Sequence, residues 1–279
     1  MQAGGGVRHG VQEIDTSPEN GNGAAGHACE VRGVTKAFGG LAAVDDVTLG
    51  IERGSLTCLI GPNGAGKSTL LGCISGLLRV DAGSVVVDGR EITNWTAHRR
   101  TEAGLGAVFQ TTRPLEDLDV LGNAMVGCHP WTRAGFVESM LRVPWQRREE
   151  RRIEDEGLRA LELVGLADRA EARAGSLPLG QLRLLAVARA LAQRPRVLLL
   201  DEPAAGLRGG EKERLVETLL ALKERALTQI LVEHDMAFVG SLAERVIVLD
   251  RGRVIADGTP AEVRANDRVV EAYLGSATL

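Results

Sequence analysis

The chain has 279 residues, 44% hydrophobic and 25% charged, enough for one large or two small domains around a sizeable core. Its net charge of −4 and pI of about 5.8 argue against a broad basic face for nucleic acid, and no apolar run approaches the roughly 20 residues that span a bilayer. The first 30 residues lack the charged-then-apolar order of a signal peptide. Cys29, Cys58, Cys73 and Cys128 lie far apart with no C-x-x-C pair, so neither a metal site nor a disulfide framework is expected, and Cys58 and Cys73 read as small core residues. These features describe a soluble, cytoplasmic protein.

Residues 1–27 are rich in Gly, Asn and Ser, show no periodicity and are expected to form a disordered tail in which His9 and His27 carry no function. Strands are expected over Cys29–Val34, Val44–Ile51 and Ser55–Ile60. Phe38 stands out in a chain with only 3% aromatic residues, and it admits two readings, a core ring or a platform on which adenine stacks.

The next stretch is Gly61-Pro62-Asn63-Gly64-Ala65-Gly66-Lys67-Ser68-Thr69, which fits G-x-x-x-x-G-K-[ST] without substitution. It lies between a β-prone run and a helical run expected over Lys67–Leu78. Glycines there let successive backbone N–H groups turn inward into an anion-binding nest, and the helix aims its positive end at the same place. Lys67 adds a full charge for the β- and γ-phosphates, and the Ser68 hydroxyl is placed to ligate Mg²⁺. Binding of ATP with Mg²⁺ follows from this pattern.

Ser84–Gly89 reads as a strand running into a tight Asp-Gly turn, and Thr96–Glu102 as a helix. A short apolar strand, Leu105–Val108, leads to Gln110, whose amide is either merely solvated or within reach of Mg²⁺ or a γ-phosphate. From about residue 111 to about 180, helix-period sequence broken at Pro130 and Pro144 replaces β-prone runs. Within it Ile153, Ala160, Leu161 and Val164 share one face, opposite charges of mixed sign. We read a helical subdomain inserted into an α/β core.

The core resumes with a helix over Gly180–Ala192 and an unbroken apolar strand, Arg196 to Leu200, closed by Asp201-Glu202-Pro203. Two acids at the carboxyl end of such a strand lie where open α/β sheets bind ligands. One can hold Mg²⁺ while its neighbour accepts a proton from an attacking water. A helix over Glu211–Arg225 and a strand over Gln229–Glu233 follow, the latter ending at His234, which is either structural or a ligand of the terminal phosphate. A hairpin around Asp250-Arg251-Gly252 and a helix with Thr259 as N-cap and Pro260 at its first position close the chain.

The order of these motifs resembles the ATPase subunits of ABC transporters, from about Ala28 to Gly275, with residues 276–279 left as a short tail. The resemblance implies an α/β P-loop NTPase fold of the ABC type, with an antiparallel β subdomain and the inserted α-helical subdomain. Gly61, Pro62, Asn63, Gly64, Ala65, Gly66, Lys67, Ser68 and Thr69 are similar to the Walker A loop, and Gln110 to the Q-loop glutamine. Asp201 and Glu202 are similar to Walker B, which implies a Mg²⁺ ligand and a general base; His234 matches the switch histidine and Phe38 the adenine-stacking aromatic. Leu177-Pro178-Leu179-Gly180-Gln181 occupies the place of the signature segment. Gly180 and Gln181 match it, whereas Pro178 offers neither a hydroxyl nor an N–H, and Arg208 stands where Asp or Asn is common.

Phe38–Val44, Asp201–Leu207, Glu233–Met236 and Glu271–Gly275 look most like the ATPases of branched-chain amino-acid importers. The resemblance implies two subunits, identical or paralogous, closing head to tail around two Mg-ATP molecules, the phosphate loop of one facing the Gly180 segment of the other. It further implies a membrane permease touched by roughly residues 111–121, a periplasmic or extracellular substrate-binding protein, and a peripheral position on the cytoplasmic side of the inner membrane. Urea, amide and lipid or lipopolysaccharide transport are the alternatives within that class. From another class, a non-hydrolysing nucleotide-binding regulator is disfavoured by the intact Lys67, Asp201, Glu202 and His234.

Overall fold

Alternation of apolar side chains along five parallel strands divides the interior into two cores, one on each face of a single sheet. The computed structural model describes residues 26–110, 113–132 and 144–275. Most of the expected N-terminal tail, the expected C-terminal tail and the first two residues of the expected permease contact, Thr111 and Thr112, lie outside the described residues. Among the described residues, no helix is long and apolar enough to cross a membrane.

The first sheet is antiparallel, in the order β2-β1-β4-β5. Its strands are β1 (His27–Phe38), β2 (Leu41–Glu52), β4 (Ala82–Val87) and β5 (Arg90–Glu91). His27 opens β1 opposite Glu52 and lays its imidazole over Gly50, so it belongs to the sheet and not to the tail. Asp88 and Gly89 both take positive φ, 49° and 74°, between Val87 and Arg90, the two-residue turn that matches strand twist.

The second sheet has the order β10-β9-β3-β8-β7-β6. It comprises β3 (Leu56–Ile60), β6 (Leu105–Val108), β7 (Val197–Asp201), β8 (Thr228–Val232) and β9 (Arg245–Asp250), all parallel, with β10 (Arg253–Gly258) antiparallel at the edge. In β7, Leu198 and Leu200 face one core while Val197 and Leu199 face the other, and β9 divides in the same way. Burial on both faces explains why these strands read as continuous apolar runs.

The first core lies between this sheet and most of the helices. These include α3 (Val120–Val126), α4 (Pro144–Leu163), α5 (Leu179–Leu191) and α6 (Gly210–Glu224), together with α7 (Met236–Leu242), α8 (Pro260–Arg264) and α9 (Asp267–Gly275). Ala160, Leu161 and Val164 of the charged helical stretch are buried there, as their spacing requires. Thr259 and Glu262 form a reciprocal capping box on α8 with Pro260 at its start. The second core lies between the two sheets and encloses α1 (Lys67–Ser75), with Leu70, Leu71, Cys73 and Ile74 fully or nearly fully buried.

α1 is shorter than its sequence suggests. It stops at Ser75 because Gly76 turns left-handed at φ 81°. The freed carbonyls then meet a buried cation. Arg100, on α2 (Ala97–Glu102) and 1% exposed, donates from Nη1 to the Cys73 and Ile74 oxygens at 2.6 and 2.7 Å. Its Nη2 and Nε donate to the Thr93 and Trp95 oxygens at 2.7 and 3.2 Å. A fixed positive charge at a helix C-terminus complements the helix dipole. Arg100→Met strands four carbonyl oxygens and is expected to cost about 3 kcal/mol or more, measured as a shift in the urea unfolding midpoint at constant slope.

Candidate functional site

All four sequence motifs leave the carboxyl ends of adjacent parallel strands. Leu59 pairs with Val232, Val232 with Asp201 and Leu200 with Val108, so these strand ends are level. Gly61–Gly66 follows β3, Gln110 follows β6, Glu202 follows β7, and Glu233 with His234 follows β8.

The phosphate-loop backbone can take its path only with glycine at particular positions. Gly61 and Gly66 have φ of 149° and 101°, and a Cβ on either would collide with a carbonyl oxygen, that of Leu249 or Ala43. The loop is also tied from outside. Gly252 N–H donates to the Ala65 oxygen at 3.0 Å, and the Gly252 oxygen accepts from Asp45 N–H at 2.9 Å. Within the loop Ala65 N–H donates to the Pro62 oxygen at 3.2 Å, while Asn63 and Gly64 lie exposed at its crest. Gly66 is the N-cap of α1 and gives it no side-chain cap, so the helix presents its first-turn N–H groups to the loop mouth.

Lys67 is 7% exposed and its Nζ donates to the Gly61 and Pro62 oxygens at 2.8 and 2.9 Å. Burial lowers its pKa, opposed by the carboxylates of Glu202 and Asp201. The Ser68 hydroxyl donates to Asp201 Oδ1 at 3.2 Å, joining α1 to the end of β7. Burial raises the Asp201 pKa, with this hydrogen bond and Lys67 acting the other way. Thr69, one residue on, is partly buried in α1.

Glu202 sits at φ 49°, a left-handed backbone that a non-glycine residue adopts at a cost of roughly 1–3 kcal/mol. Its N–H is held by the Val232 oxygen at 3.0 Å. Its carboxylate stands 3.4 Å from Gln110 Nε2 and 3.8 Å from His234 Nδ1. Gln110, Glu202 and His234 therefore share one edge with Lys67, Ser68 and Asp201.

The other expected residues lie further out. Phe38 ends β1 half-exposed, with Lys36 Nζ 5.4 Å from its ring centroid. It faces solvent and is no core ring, and Ala43 of the same hairpin presses its carbonyl on Gly66. Gly180 and Gln181 begin α5 and line a pocket with Pro178, Leu184, Arg208, Gly210, Glu211 and Arg214. No phosphate-loop residue lines that pocket.

Glu233 is the residue that sequence reasoning passed over. It is 1% exposed, its Oε1 accepts from Ala204 N–H at 3.0 Å, and its Oε2 accepts from His234 N–H at 3.4 Å. Burial raises its pKa. The available signal was a charged residue directly after the buried apolar run Ile230-Leu231-Val232. Cys58 and Cys73 are buried, as expected, and so are Cys29 and Cys128; burial raises the pKa of all four thiols, to about 12 at Cys29 and Cys128 and about 11 at Cys73.

The donor set fits a polyphosphate with a small hard cation. Uncapped helix N–H groups and a buried lysine suit phosphate oxygens, and a hydroxyl beside a carboxylate suits Mg²⁺. Among the described residues, no group of three or more His, Cys, Asp or Glu side chains could hold a metal alone.

Residues 44–205 match the family model described as ABC transporter. The chain belongs to the ABC transporter family. Residues 253–278 match a second model, described as branched-chain amino acid ATP-binding cassette transporter. The chain is 39% identical to the high-affinity branched-chain amino acid transport ATP-binding protein BraF of Pseudomonas aeruginosa, over 89% of this chain and 98% of that one. It is 35% identical to the corresponding LivG protein of Escherichia coli, over 88% and 97%. Among solved structures, a nucleotide-free ATP-binding cassette from an ABC transporter superposes with a TM-score of 0.78 at 31% identity, covering 88% of this chain and 98% of that one. A dimeric cassette in a post-hydrolysis state bound to ADP and Pi gives 0.70 at 26% identity, over 83% and 98%.

The α/β P-loop fold expected from the sequence is thereby shown, and with it the activity of the class, hydrolysis of ATP coupled to transport. Glu202→Gln removes a proton acceptor while keeping size and hydrogen bonding. It is expected to bind ATP as the parent chain does but to lose phosphate release by about two orders of magnitude or more. Equilibrium ATP binding and a phosphate-release assay check the two halves separately.

Proposed function

We propose that this chain is the ATP-hydrolysing subunit of an importer for branched-chain amino acids. One observation carries the substrate class: the match of residues 253–278 to a model described by that cargo. Likeness to BraF and LivG along nearly their whole length supports it.

In this reading Gly61–Thr69 cradles the phosphates of ATP, Lys67 neutralises β- and γ-oxygens, and adenine stacks on the exposed ring of Phe38. Ser68 and Asp201, with Gln110, hold Mg²⁺, which when bound neutralises charge on the transferred phosphoryl group. Glu202 accepts the proton of the attacking water. Its strained backbone and its contacts to Gln110 and His234 fix the carboxylate before substrate arrives. His234 orients the terminal phosphate from the neighbouring strand end.

Gly180 and Gln181 complete the nucleotide site of a second ATPase subunit, whether identical or paralogous. Their separation from the phosphate loop within one chain supports this, as does the dimeric cassette with which the chain superposes. The stretch after Gln110 meets the permease. Leu115 and Leu118 are 47% and 38% exposed there, and the buried Asn123 amide clamps the loop by bonding both the N–H and the oxygen of Leu115, at 2.7 and 2.9 Å. The permease holds the subunit at the cytoplasmic face of the membrane, and an external substrate-binding protein delivers the cargo.

Uptake of labelled leucine, isoleucine and valine is expected to fall in cells lacking this chain. It should be restored by the parent sequence and not by Lys67→Ala. Unchanged uptake, with loss instead of urea or amide uptake, would move the cargo assignment and leave the ATPase intact.

A further inference from the structure

α5 and α6 begin side by side, and neither start carries a side-chain cap of its own. The N-cap of α5 is Pro178, which has no side-chain acceptor, and that of α6 is Gly209, which has no side chain. A helix start exposes up to four N–H groups that need acceptors. One carboxylate caps the first and reaches the residue ahead of the second. Glu211 Oε1 accepts from Gly180 N–H, in the second position of α5, at 3.0 Å, and Oε2 accepts from Arg208 N–H, just ahead of α6, at 3.3 Å. The fit is close enough to dictate the residue facing it. A Cβ on Gly180 would lie 2.5 Å from Glu211 Oε1 and 2.9 Å from Glu211 Cβ.

We propose that Glu211 is the positioning residue of the Gly180–Gln181 segment, performing from α6 the capping that Pro178 cannot perform from within α5. The carboxylate has three consequences. It meets the positive ends of two helices at once. It fixes the direction in which the first turn of α5 presents its remaining N–H groups. It also ties that turn to Arg208, in the segment that follows Glu202. Leu179 strengthens the same joint, since a Cβ on Gly206 would lie 3.1 Å from its Cδ2. Glu211 itself touches neither nucleotide nor water in this scheme and acts through Gly180.

The inference rests on the reading that two subunits hydrolyse ATP between them, and the test separates the two ideas. Phosphate release and ATP binding are measured on the purified full chain and on Glu211→Ala, Pro178→Ser and the double variant, with thermal unfolding to establish that each folds. The parent chain must hydrolyse ATP; a parent chain that binds ATP without hydrolysing it overturns the transport-ATPase reading, not this one. Given a working parent, Glu211→Ala is expected to lower kcat about fivefold to tenfold, the effect of losing a helix cap, with equilibrium ATP binding by the chain's own phosphate loop unchanged because that loop is untouched. Pro178→Ser alone preserves or raises hydrolysis. In the double variant the serine hydroxyl caps α5 directly and restores most of the lost kcat. If Glu211→Ala hydrolyses at the parent rate or faster, or if the serine restores nothing, Glu211 does not position this segment. Should Glu211→Ala fail to fold, Glu211→Gln, which retains one acceptor for Gly180, replaces it with the same serine rescue as the criterion.

Discussion

The shared polarity of β3, β8, β7 and β6 is the constraint on which the site depends. Parallel strands send every following loop off the same edge of the sheet, and their register fixes how far each loop projects. Because Leu59, Val232 and Asp201 are level, the phosphate loop, the Walker B acids and His234 converge without any of them reaching. The Val232 oxygen, at the end of β8, takes the N–H of Glu202 at the end of β7. That bond holds Glu202 in a backbone conformation it would not choose alone. Strain of this kind persists only where surrounding structure over-determines it, and two buried neighbouring strands provide that here.

Charge at this edge is unbalanced in a useful direction. Asp201 and Glu202 bring two carboxylates to Lys67, Glu233 lies beside Glu202, and burial pushes the Asp201 and Glu233 pKa values up. The same burial pushes the Lys67 pKa down, against the pull of the acids. Asp201 and Ser68 would hold a divalent cation, and Lys67 the phosphates that come with it, which would relieve both tendencies. Glu233 has a second use that needs no ligand. By accepting from Ala204 and His234 it pins the loop after Glu202 to the strand end that carries His234.

What was legible in the sequence was local. A glycine-rich loop between strand and helix, acids closing an apolar strand, and Thr259-Pro260 ahead of Glu262 each carry their chemistry within a few residues. What was not legible depends on residues far apart in the chain. Arg100 lies in a short polar stretch, and nothing near it announces that its guanidinium ends inside the protein on carbonyls 26 and 27 residues away. Glu211 looks like any first-turn acid until Gly180, 31 residues earlier, is brought against it. The end of α1 was misjudged because helix-compatible residues continue past Gly76, whose left-handed turn stops the helix and whose neighbours need Arg100. His27 looked like tail because its strand partner, Glu52, comes 25 residues later.

These long-range ties also join the helical layer to the sheet edge that carries Glu202. α5 is fastened to that edge twice. At its first turn Glu211 holds Gly180 to the segment following Glu202, and one turn further Arg183 Nη1 donates to the Gln110 oxygen at 3.2 Å. Gln110 in turn reaches Glu202 through its side chain. The two routes leave α5 from different points, one ending on the backbone of Arg208 and the other reaching the Glu202 carboxylate through Gln110. Packed helices change position by small rotations and slides between discrete arrangements. An event at the exposed Leu115–Leu118 loop is near enough to take part, because Arg189 of the same helix donates to the Arg113 oxygen at 3.3 Å. The loop, the helix and Glu202 are thus joined through single hydrogen bonds, two of them from arginines of α5 to backbone oxygens.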